Sequence, residues 1–257
     1  MLFQMAAILL KGDHGAVAGD YYFGSRKSVF TVAKRIAFGD FKLVPIKVTF
    51  AEGETVAEMS RVCASLLPKC DAKAFEADAR AREGYLFPDT YFFSPVSSAE
   101  DVVLALSNMF VKKTKNLRDR ISSSGNARSF DQIVIMASVI EKEAGSDAER
   151  GIISGILWKR IDHHIALGVD AAFAYILHKS SSELTLKDLK IDSPFNTYTH
   201  LGLPPSAIGN AGLASLSAAL NPEPSPYWYY LHDKNGTIHY AKNFAEHKAN
   251  KAKFLKN

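Results

Sequence analysis

Residues 129–143 read Ser-Phe-Asp-Gln-Ile-Val-Ile-Met-Ala-Ser-Val-Ile-Glu-Lys-Glu, and the predicted fold is organised around this stretch. Ser129 and Gln132 form a capping box, which marks the start of a helix. The run from Ile133 to Ile140 is apolar nearly all round, as is typical of a helix buried at the centre of its domain. The rest of the chain must therefore supply the elements that cover this helix.

The segments after this helix are predicted to be helical apart from one hairpin. Ser146 and Glu149 form a second capping box, so we expect the helix to kink or restart there. Residues 211–220 are expected to form a helix, and a basic helix closes the chain. Within residues 227–240, the turn sequence of residues 233–236 separates two strand-like runs, which predicts a β-hairpin.

Upstream, residues 15–70 are expected to form a small α+β module. Residues 19–24 and 46–50 are predicted to be strands, and each is followed by a helical segment. Ser28 is the expected N-cap of the first of these helices, and Pro68 ends the second.

The region between these two parts has little strand character. Residues 83–91 include Pro88, which is incompatible with a helix interior, and we expect a half-buried loop or an edge strand there. Residues 98–122 indicate an amphipathic helix, and residues 122–126 a loop. Strands are few and scattered between helices, so the predicted fold class is α+β rather than an alternating βαβ fold.

Bulk composition limits the classes of protein that fit. The 257 residues are 47% hydrophobic, which suffices for one large domain or two smaller ones. The net charge of +4 is small, so nucleic acid is not an expected partner, although an acidic polymer would suit it. Residues 1–10 are apolar, but they are too short to span a membrane and lack the features of a signal peptide. We expect them to form a short core-facing helix.

The sequence offers no evident metal or cofactor site. Cys63 and Cys70 are too few for a disulfide framework. A free pair is the default expectation, but one bridge stays open because Pro68 breaks any helix that would join them. The histidines have no metal-binding spacing, and no phosphate loop or nucleophile elbow is present.

Glu143 is the strongest candidate for chemistry. At about 100° per residue it lies on the same stripe as Met136 and Ile140, so we expect its carboxyl group to be buried. Burial and the nearby helix C-terminus both disfavour the charged form and raise the pKa, which suits a general acid. The alternative is that Glu143 simply leaves the core and pairs with a lysine or an arginine.

Glu141 is expected to be an exposed partner of a cation, because it points about 160° away from Glu143 on the same helix. The two therefore cannot face each other across a glycosidic bond, where two carboxylates would stand about 5–10 Å apart. A second carboxylate would have to be Asp170, Glu83 or Asp89. Six aromatic residues could stack on sugar rings or belong to the core: Tyr85, Phe87, Tyr91, Tyr198, Tyr227 and Trp228.

Five motifs together resemble the endolytic murein transglycosylases, a family also called YceG-like. The motifs are Glu83-Gly-Tyr-Leu-Phe-Pro-Asp-Thr-Tyr91, Met136-Ala-Ser-Val-Ile-Glu-Lys-Glu143, Phe195-Asn-Thr-Tyr-Thr199 with Gly202-Leu-Pro-Pro205, the Tyr227–Tyr240 hairpin, and Glu246-His247. Each alone could be chance, but together they follow the order of the family and span most of the chain.

The resemblance implies a LysM-like module at residues 1–72 and a catalytic domain at residues 73–257, with no cofactor. It implies that Glu143 is the single catalytic acid and base, which cuts the MurNAc–GlcNAc bond of nascent peptidoglycan without water and leaves a 1,6-anhydro end. The expected partners are peptidoglycan glycan strands and peptidoglycan synthases. The family's N-terminal membrane anchor is missing from this chain. The full-length protein is therefore expected in the cytoplasmic membrane, facing the cell wall, and this chain is expected to be soluble.

The resemblance also indicates residues close to the substrate. It assigns substrate contact, or support of the contacting residues, to Asp170, Asn196, Tyr198 and Glu83. Gly168 stands where many relatives carry Gln, and Ala171 where many carry Pro. Both departures put the sugar contacts of that segment in question.

Two other functions remain as alternatives. A catalytically inactive glycan-binding module would use the LysM-like part, and Glu143 argues against it. A pyridoxal-phosphate lyase of the aminodeoxychorismate type, a label sometimes attached to this family, would need a reactive lysine and a phosphate-binding loop. Neither feature is evident in the sequence.

Overall fold

A computed structural model describes residues 2–12, 16–23, 25–124, 128–177, 179, 183–185 and 187–255. Helices dominate, and two small antiparallel sheets lie between them. The predicted α+β class is therefore confirmed. In this part of the chain, no helix combines the length and the apolar character needed to cross a membrane.

Two helices, α1 (Leu2–Lys11) and α2 (Val29–Phe38), open the chain and pack against each other. The N-cap prediction is confirmed, because the Ser28 hydroxyl accepts a hydrogen bond from the N–H of Thr31. Helix α1 forms, but none of its residues is buried. The expectation that it faces the core is therefore wrong.

The strand expected at residues 19–24 does not form over its described part, residues 19–23. The side chain of Arg35 holds this region instead, and it donates to the carbonyl oxygens of Tyr22 at 2.7 Å and of Asp40 and Phe41 at 2.8 Å. Backbone carbonyls that leave water need a hydrogen-bond donor. The guanidinium group of Arg35 supplies donors to these three carbonyls, which in a sheet would accept from a neighbouring strand.

The first sheet pairs β1 (Ile46–Thr49) with β2 (Thr90–Phe93) in antiparallel register, with Ile46 opposite Phe93. This confirms the strand at residues 46–50 and favours the edge-strand alternative for the end of residues 83–91. The predicted domain boundary lies between residues 72 and 73. The β1–β2 strand pair has one strand on each side of it, and the buried apolar cluster that runs from Val48 to Leu106 also has members on both sides. The two-domain division at that point stays a prediction.

Helices α3 (Val56–Leu66) and α4 (Ala72–Ala79) follow β1. A disulfide joins Cys63 to Cys70 between them, with the Cα atoms 5.9 Å apart. The default expectation of a free cysteine pair is therefore wrong. The chain turns at Pro68, which brings the two residues close together.

Helix α5 (Ala99–Ser124) is longer than expected. It includes residues 122–124, which the sequence placed in a loop, whereas residues 125 and 126 of that loop lie outside the described residues. The hydroxyl groups of Ser122 and Ser123 donate to helix carbonyls three or four residues earlier. These bonds are compatible with a helix and explain why the serine run does not end it.

The central helix is α6 (Phe130–Glu143), which packs against α7 (Asp147–Asp162), α8 (Ala171–Leu177) and α9 (Leu213–Leu220). Its predicted capping box at Ser129 is present. Nearly every residue from the second to the third turn is buried, so the prediction of a fully covered helix is confirmed.

The second sheet is the predicted hairpin, formed by β3 (Tyr229–His232) and β4 (Ile238–Ala241). Asp233 accepts backbone hydrogen bonds from Asn235 and Thr237, which closes the turn. Helix α10 (Phe244–Phe254) packs against both strands. The hairpin thus carries the side chains of β3 to the end of α6.

We expect reduction of the Cys63–Cys70 bridge to lower Tm. The two residues are seven apart in sequence, and for so short a loop the entropy of closure corresponds to about 2–3 kcal/mol. In a chain of this size that is roughly 5–10 °C. Calorimetry after refolding with and without reductant measures it. A Cys63→Ser/Cys70→Ser variant should show no response to reductant, and a wild-type Tm that also fails to respond would contradict the prediction.

Candidate active site

Glu143 is the last residue of α6. Ile140 and Met136, one and two turns earlier, are fully buried, and Glu143 itself is half-buried. The predicted position on the buried stripe is therefore confirmed. Its carboxyl group therefore lies at the C-terminal end of the buried helix, where residues from other elements can contact it.

The partners of Glu143 are uncharged donors. The hydroxyl of Tyr230 donates to Oε2 at 2.8 Å, and the N–H of Ala171 also donates to the carboxylate. None of the ion pairs found in the described residues includes Glu143. Lys142, the adjacent cation in sequence, lies beside Gly53 instead. The alternative in which Glu143 pairs with a lysine or an arginine is therefore wrong.

Burial raises the pKa of Glu143 above that of a free glutamate, and the negative charge of Asp170 raises it further. The hydrogen bonds from Tyr230 and Ala171 and the charge of His232 lower the pKa without cancelling the effect of burial. Burial and the charge of Glu143 also raise the pKa of Tyr230 well above its usual value. The phenol therefore stays protonated and acts as the donor.

Asp170 and Tyr198 lie beside this carboxyl group and bind each other, with the Tyr198 hydroxyl 2.6 Å from Asp170 Oδ1. Thr197 ties their two segments together. Its carbonyl accepts from Gly168 N–H at 2.9 Å, and its hydroxyl bonds both the N–H and the carbonyl of Val169 at 3.0 Å. The structure thus brings Asp170 and Tyr198 to Glu143.

Gly168 leaves the ring of Tyr198 uncovered. A Cβ atom there would make only ordinary contacts with Tyr198 and Arg160. The backbone has φ +57°, where a residue with a side chain is disfavoured. Tyr198 is 41% exposed, so its ring is accessible beside the carboxylates.

Asn196 does not contact the space around Glu143. It is fully buried, and its amide group donates to Leu189 O and Ile191 O at 3.1 and 2.8 Å. Its oxygen accepts from the N–H of Tyr198 at 3.0 Å. These bonds favour the supporting role over direct substrate contact, because Asn196 holds the Tyr198 segment.

Glu83 lies at the start of α3, not in the group around Glu143. It accepts from the N–H of Val56 at 3.1 Å and from the side-chain amide of Asn210 at 3.0 Å, and Tyr175 also bonds it. Burial, the largest cause, raises the pKa of Glu83 to about 7. Ala171, whose N–H bonds Glu143, and Tyr175, which bonds Glu83, lie one turn apart on α8. Helix α8 therefore contacts both carboxyl groups.

Glu141 has the cation partner that was predicted, but it is not exposed. Its side chain is 6% exposed and pairs with Arg150 at 2.8 Å. Its other oxygen accepts from the N–H of Gly212 at 2.9 Å. Asp89, the remaining carboxylate considered, pairs with Lys113 at 3.3 Å outside the site.

Three residues near Glu143 were missed by the sequence reasoning: Tyr230, His232 and Arg160. Glu149 does not form the predicted capping box with Ser146; it binds Gly145 N–H and His232 Nε2, at 2.8 and 3.0 Å. Strand alternation alone could have placed Tyr230 and His232 on one face of β3.

Three of the six aromatic candidates, Tyr85, Phe87 and Tyr91, belong to the core or pack against it, whereas Tyr227 and Trp228 are half-buried outside the core clusters. Tyr85 packs on Phe110, Tyr91 stacks on Phe93, and Tyr227 stacks on Tyr240. Among the six candidates, Tyr198 is the residue that lies beside Glu143. In the described part of the chain, no group of three or more metal-ligating side chains is arranged to hold a metal.

A cavity of about 1300 Å³ lies at the N-terminal side, between α2 and the start of β1. Its single carboxylate is Asp40, which lies 3.5 Å from the guanidinium of Arg35. None of its lining residues belongs to the group around Glu143. This cavity and the group around Glu143 are therefore separate features of the fold.

Comparison with known proteins agrees with this geometry. The YceG-like family model matches residues 1–253. An endolytic murein transglycosylase of Bacillus subtilis (strain 168) is 29% identical, over 95% of this chain and 75% of the relative. One from Streptococcus pneumoniae serotype 2 is 28% identical, over 70% of this chain and 34% of the relative.

A solved structure supports the same relationship. The crystal structure of a yceG-like protein from Listeria monocytogenes superposes with a TM-score of 0.72 at 27% identity. The match covers 96% of this chain and 89% of that one. Since the family model matches nearly the whole sequence and this structure shares the fold, the chain belongs to the YceG-like family.

Proposed function

We propose that the protein is an endolytic lytic transglycosylase that cleaves the MurNAc–GlcNAc bond of peptidoglycan strands and forms 1,6-anhydro-MurNAc ends. The observation that carries this is the environment of Glu143, a half-buried carboxyl group with a raised pKa and no cationic partner in the described residues. The names of the curated relatives support the same substrate and reaction.

In the first step the protonated carboxyl group of Glu143 donates its proton to the oxygen between the two sugars. The C1–O bond of MurNAc breaks, and GlcNAc leaves with a new hydroxyl group. Positive charge develops at C1 as the bond breaks. The negative charge of Asp170, held by the Tyr198 hydroxyl, lies on the same side of the site and stabilises that charge.

In the second step the Glu143 carboxylate accepts the proton of the MurNAc 6-hydroxyl as that oxygen bonds to C1. The proton lost in the first step is thereby regained, and no water is consumed. One carboxyl group serves as acid and then as base, so a facing second carboxylate is not required. Tyr230 stabilises the intermediate carboxylate by donating to Oε2.

For substrate binding we propose the exposed ring of Tyr198 as a stacking surface and Asp170 as a hydrogen-bonding group. Glu83 fits a supporting role better than direct contact, because both of its oxygens accept protein donors. The LysM-like assignment of the N-terminal part, a membrane location facing the cell wall, and peptidoglycan synthases as partners also remain proposals.

Glu143→Gln is expected to abolish release of anhydro-MurNAc products, since it removes the proton donor and acceptor while it keeps the shape. General acid–base catalysis contributes about 10²- to 10⁴-fold. Mass spectrometry of digested glycan strands measures the products. The matched control is Glu141→Gln, on the same helix turn. Full activity in Glu143→Gln, or inactivity in folded Glu141→Gln only, would reverse the assignment.

Tyr230→Phe is expected to move the alkaline limb of the pH–rate profile upward. In the wild type, the hydrogen bond from Tyr230 lowers the pKa of Glu143. Without this bond the acid form of Glu143 persists to higher pH, by about one pH unit. Tyr227→Phe, on the stacked pair with Tyr240, is the control and should leave the limb in place. A downward or absent shift in Tyr230→Phe would show that the phenol does not stabilise the carboxylate.

Glu83→Gln is expected to change the pH dependence of stability more than it changes kcat. The folded-state pKa of Glu83 is about 7, above the unfolded value. The folded protein therefore binds the proton more tightly, and stability falls as pH rises from about 4.5 to 7. Glu83→Gln should flatten that slope in Tm measurements from pH 4 to 8. A large loss of kcat with an unchanged slope would instead favour direct substrate contact.

A further inference from the structure

Arg160 lies near the C-terminal end of α7, with its guanidinium group inside the fold. Nε donates to the carbonyl of Trp228 at 2.8 Å, and Nη1 donates to the carbonyl of Leu167 at 2.6 Å. The group also lies over the ring of Tyr229, 4.8 Å from its centroid. None of the ion pairs found in the described residues includes this arginine, so its strongest bonds go to backbone.

Each of those carbonyls belongs to a segment that carries a neighbour of the catalytic carboxyl group. Tyr230, which donates to Glu143, follows Trp228 by two residues on β3. Asp170, whose charge acts on Glu143, follows Leu167 by three residues. One side chain therefore joins the hairpin to the loop before α8, although these two segments are about sixty residues apart.

We propose that Arg160 is a positioning residue that fixes the positions of Tyr230 and Asp170 relative to Glu143. This inference rests on the proposed function. Two carbonyls that approach from different directions suit the planar, multi-donor guanidinium, whereas a lysine ammonium group is compact and would reach them less well. A displacement of about 1 Å around a reacting group can cost about 100-fold in rate, so such a link has a measurable effect.

Arg160 also brings a fixed positive charge to the site. Burial lowers its pKa, but a guanidinium remains protonated in proteins. Its charge interacts with Tyr230, Tyr198 and Glu143. The groups that face Glu143 are Tyr230 and His232 from β3, Asp170 from the loop before α8, Tyr198 from the neighbouring segment, and Arg160 from α7.

The test compares Arg160→Lys and Arg160→Met with Lys159→Met. The control residue, Lys159, precedes Arg160 and donates to the carbonyl of Ser225. Its substitution removes a contact to the segment that leads into the same hairpin. Lys159 has no bond to the Leu167 segment among its hydrogen bonds in the described structure. Glycan strands serve as substrate, and kcat, KM and the pH profile are measured for variants with a cooperative thermal transition.

Arg160→Lys should lose at least about tenfold in kcat with KM within about threefold, and its alkaline midpoint should move less than that of Arg160→Met because the positive charge remains. Arg160→Met should lose as much and also shift the midpoint upward, because a positive charge that favours the carboxylate is gone. Lys159→Met should stay within about twofold. Wild-type kcat in Arg160→Lys, or an equal loss in Lys159→Met, would overturn the proposal.

A second readout separates this inference from the proposed function. The Glu143 carboxyl group is titrated by ¹³C NMR in the wild type and in Arg160→Met, without substrate. If the wild type releases no anhydro products, the proposed function fails, but an upward shift of the Glu143 pKa in the variant still supports the placement of the charge. If the wild type is active and this pKa does not move, the electrostatic part of the inference is wrong.

Discussion

The middle of helix α6 is buried on nearly every side, and this constrains Glu141 and Glu143 at its C-terminal end. A buried polar group is costly unless it finds a partner. Glu141 and Glu143 meet this requirement in opposite ways within one turn. Glu141 pairs with Arg150 and accepts a backbone N–H, so both of its carboxylate oxygens have partners within the fold. Glu143 accepts a hydrogen bond from a phenol and forms none of the ion pairs found in the described residues, so burial raises its pKa more than its hydrogen bonds lower it.

The neighbours of Glu143 come from distant parts of the chain, and their placement depends on backbone contacts. Tyr230 arrives on a hairpin closed by Asp233. Asp170 stands in a loop that Thr197 binds through both its hydroxyl and its carbonyl. Asn196, fully buried, holds the end of that second segment. Buried residues such as Asn196 and Thr197 therefore fix the position of the groups beside Glu143 through backbone contacts.

Elements with local signals were predictable from sequence. The capping box at Ser129, the apolar run of α6 and the turn at Asp233 each act within a few residues, and all three are confirmed. The contacts of Arg160 were not predictable, because its two carbonyl partners are fixed by tertiary packing. The expected strand at residues 19–24 failed for a similar reason, since Arg35 satisfies that segment with a side chain. A buried amide and a ligand-binding amide look alike in sequence, so the sequence left open whether Asn196 contacts the substrate or supports the residues that do.

A single carboxyl group that gives and then takes a proton needs a pKa that is raised but not extreme. Burial and Asp170 push the pKa of Glu143 up, while Tyr230, Ala171 and His232 push it down. Since the raised folded-state pKa lies above the unfolded one, Glu143 costs the fold stability as pH rises through that interval, and the loss persists above it. A direct ion pair would remove part of that penalty, but it would also favour the carboxylate over the acid form. Glu141 has such a partner in Arg150, whereas Glu143 forms none of the ion pairs found in the described residues, and this difference suits Glu143 to the proposed acid–base role.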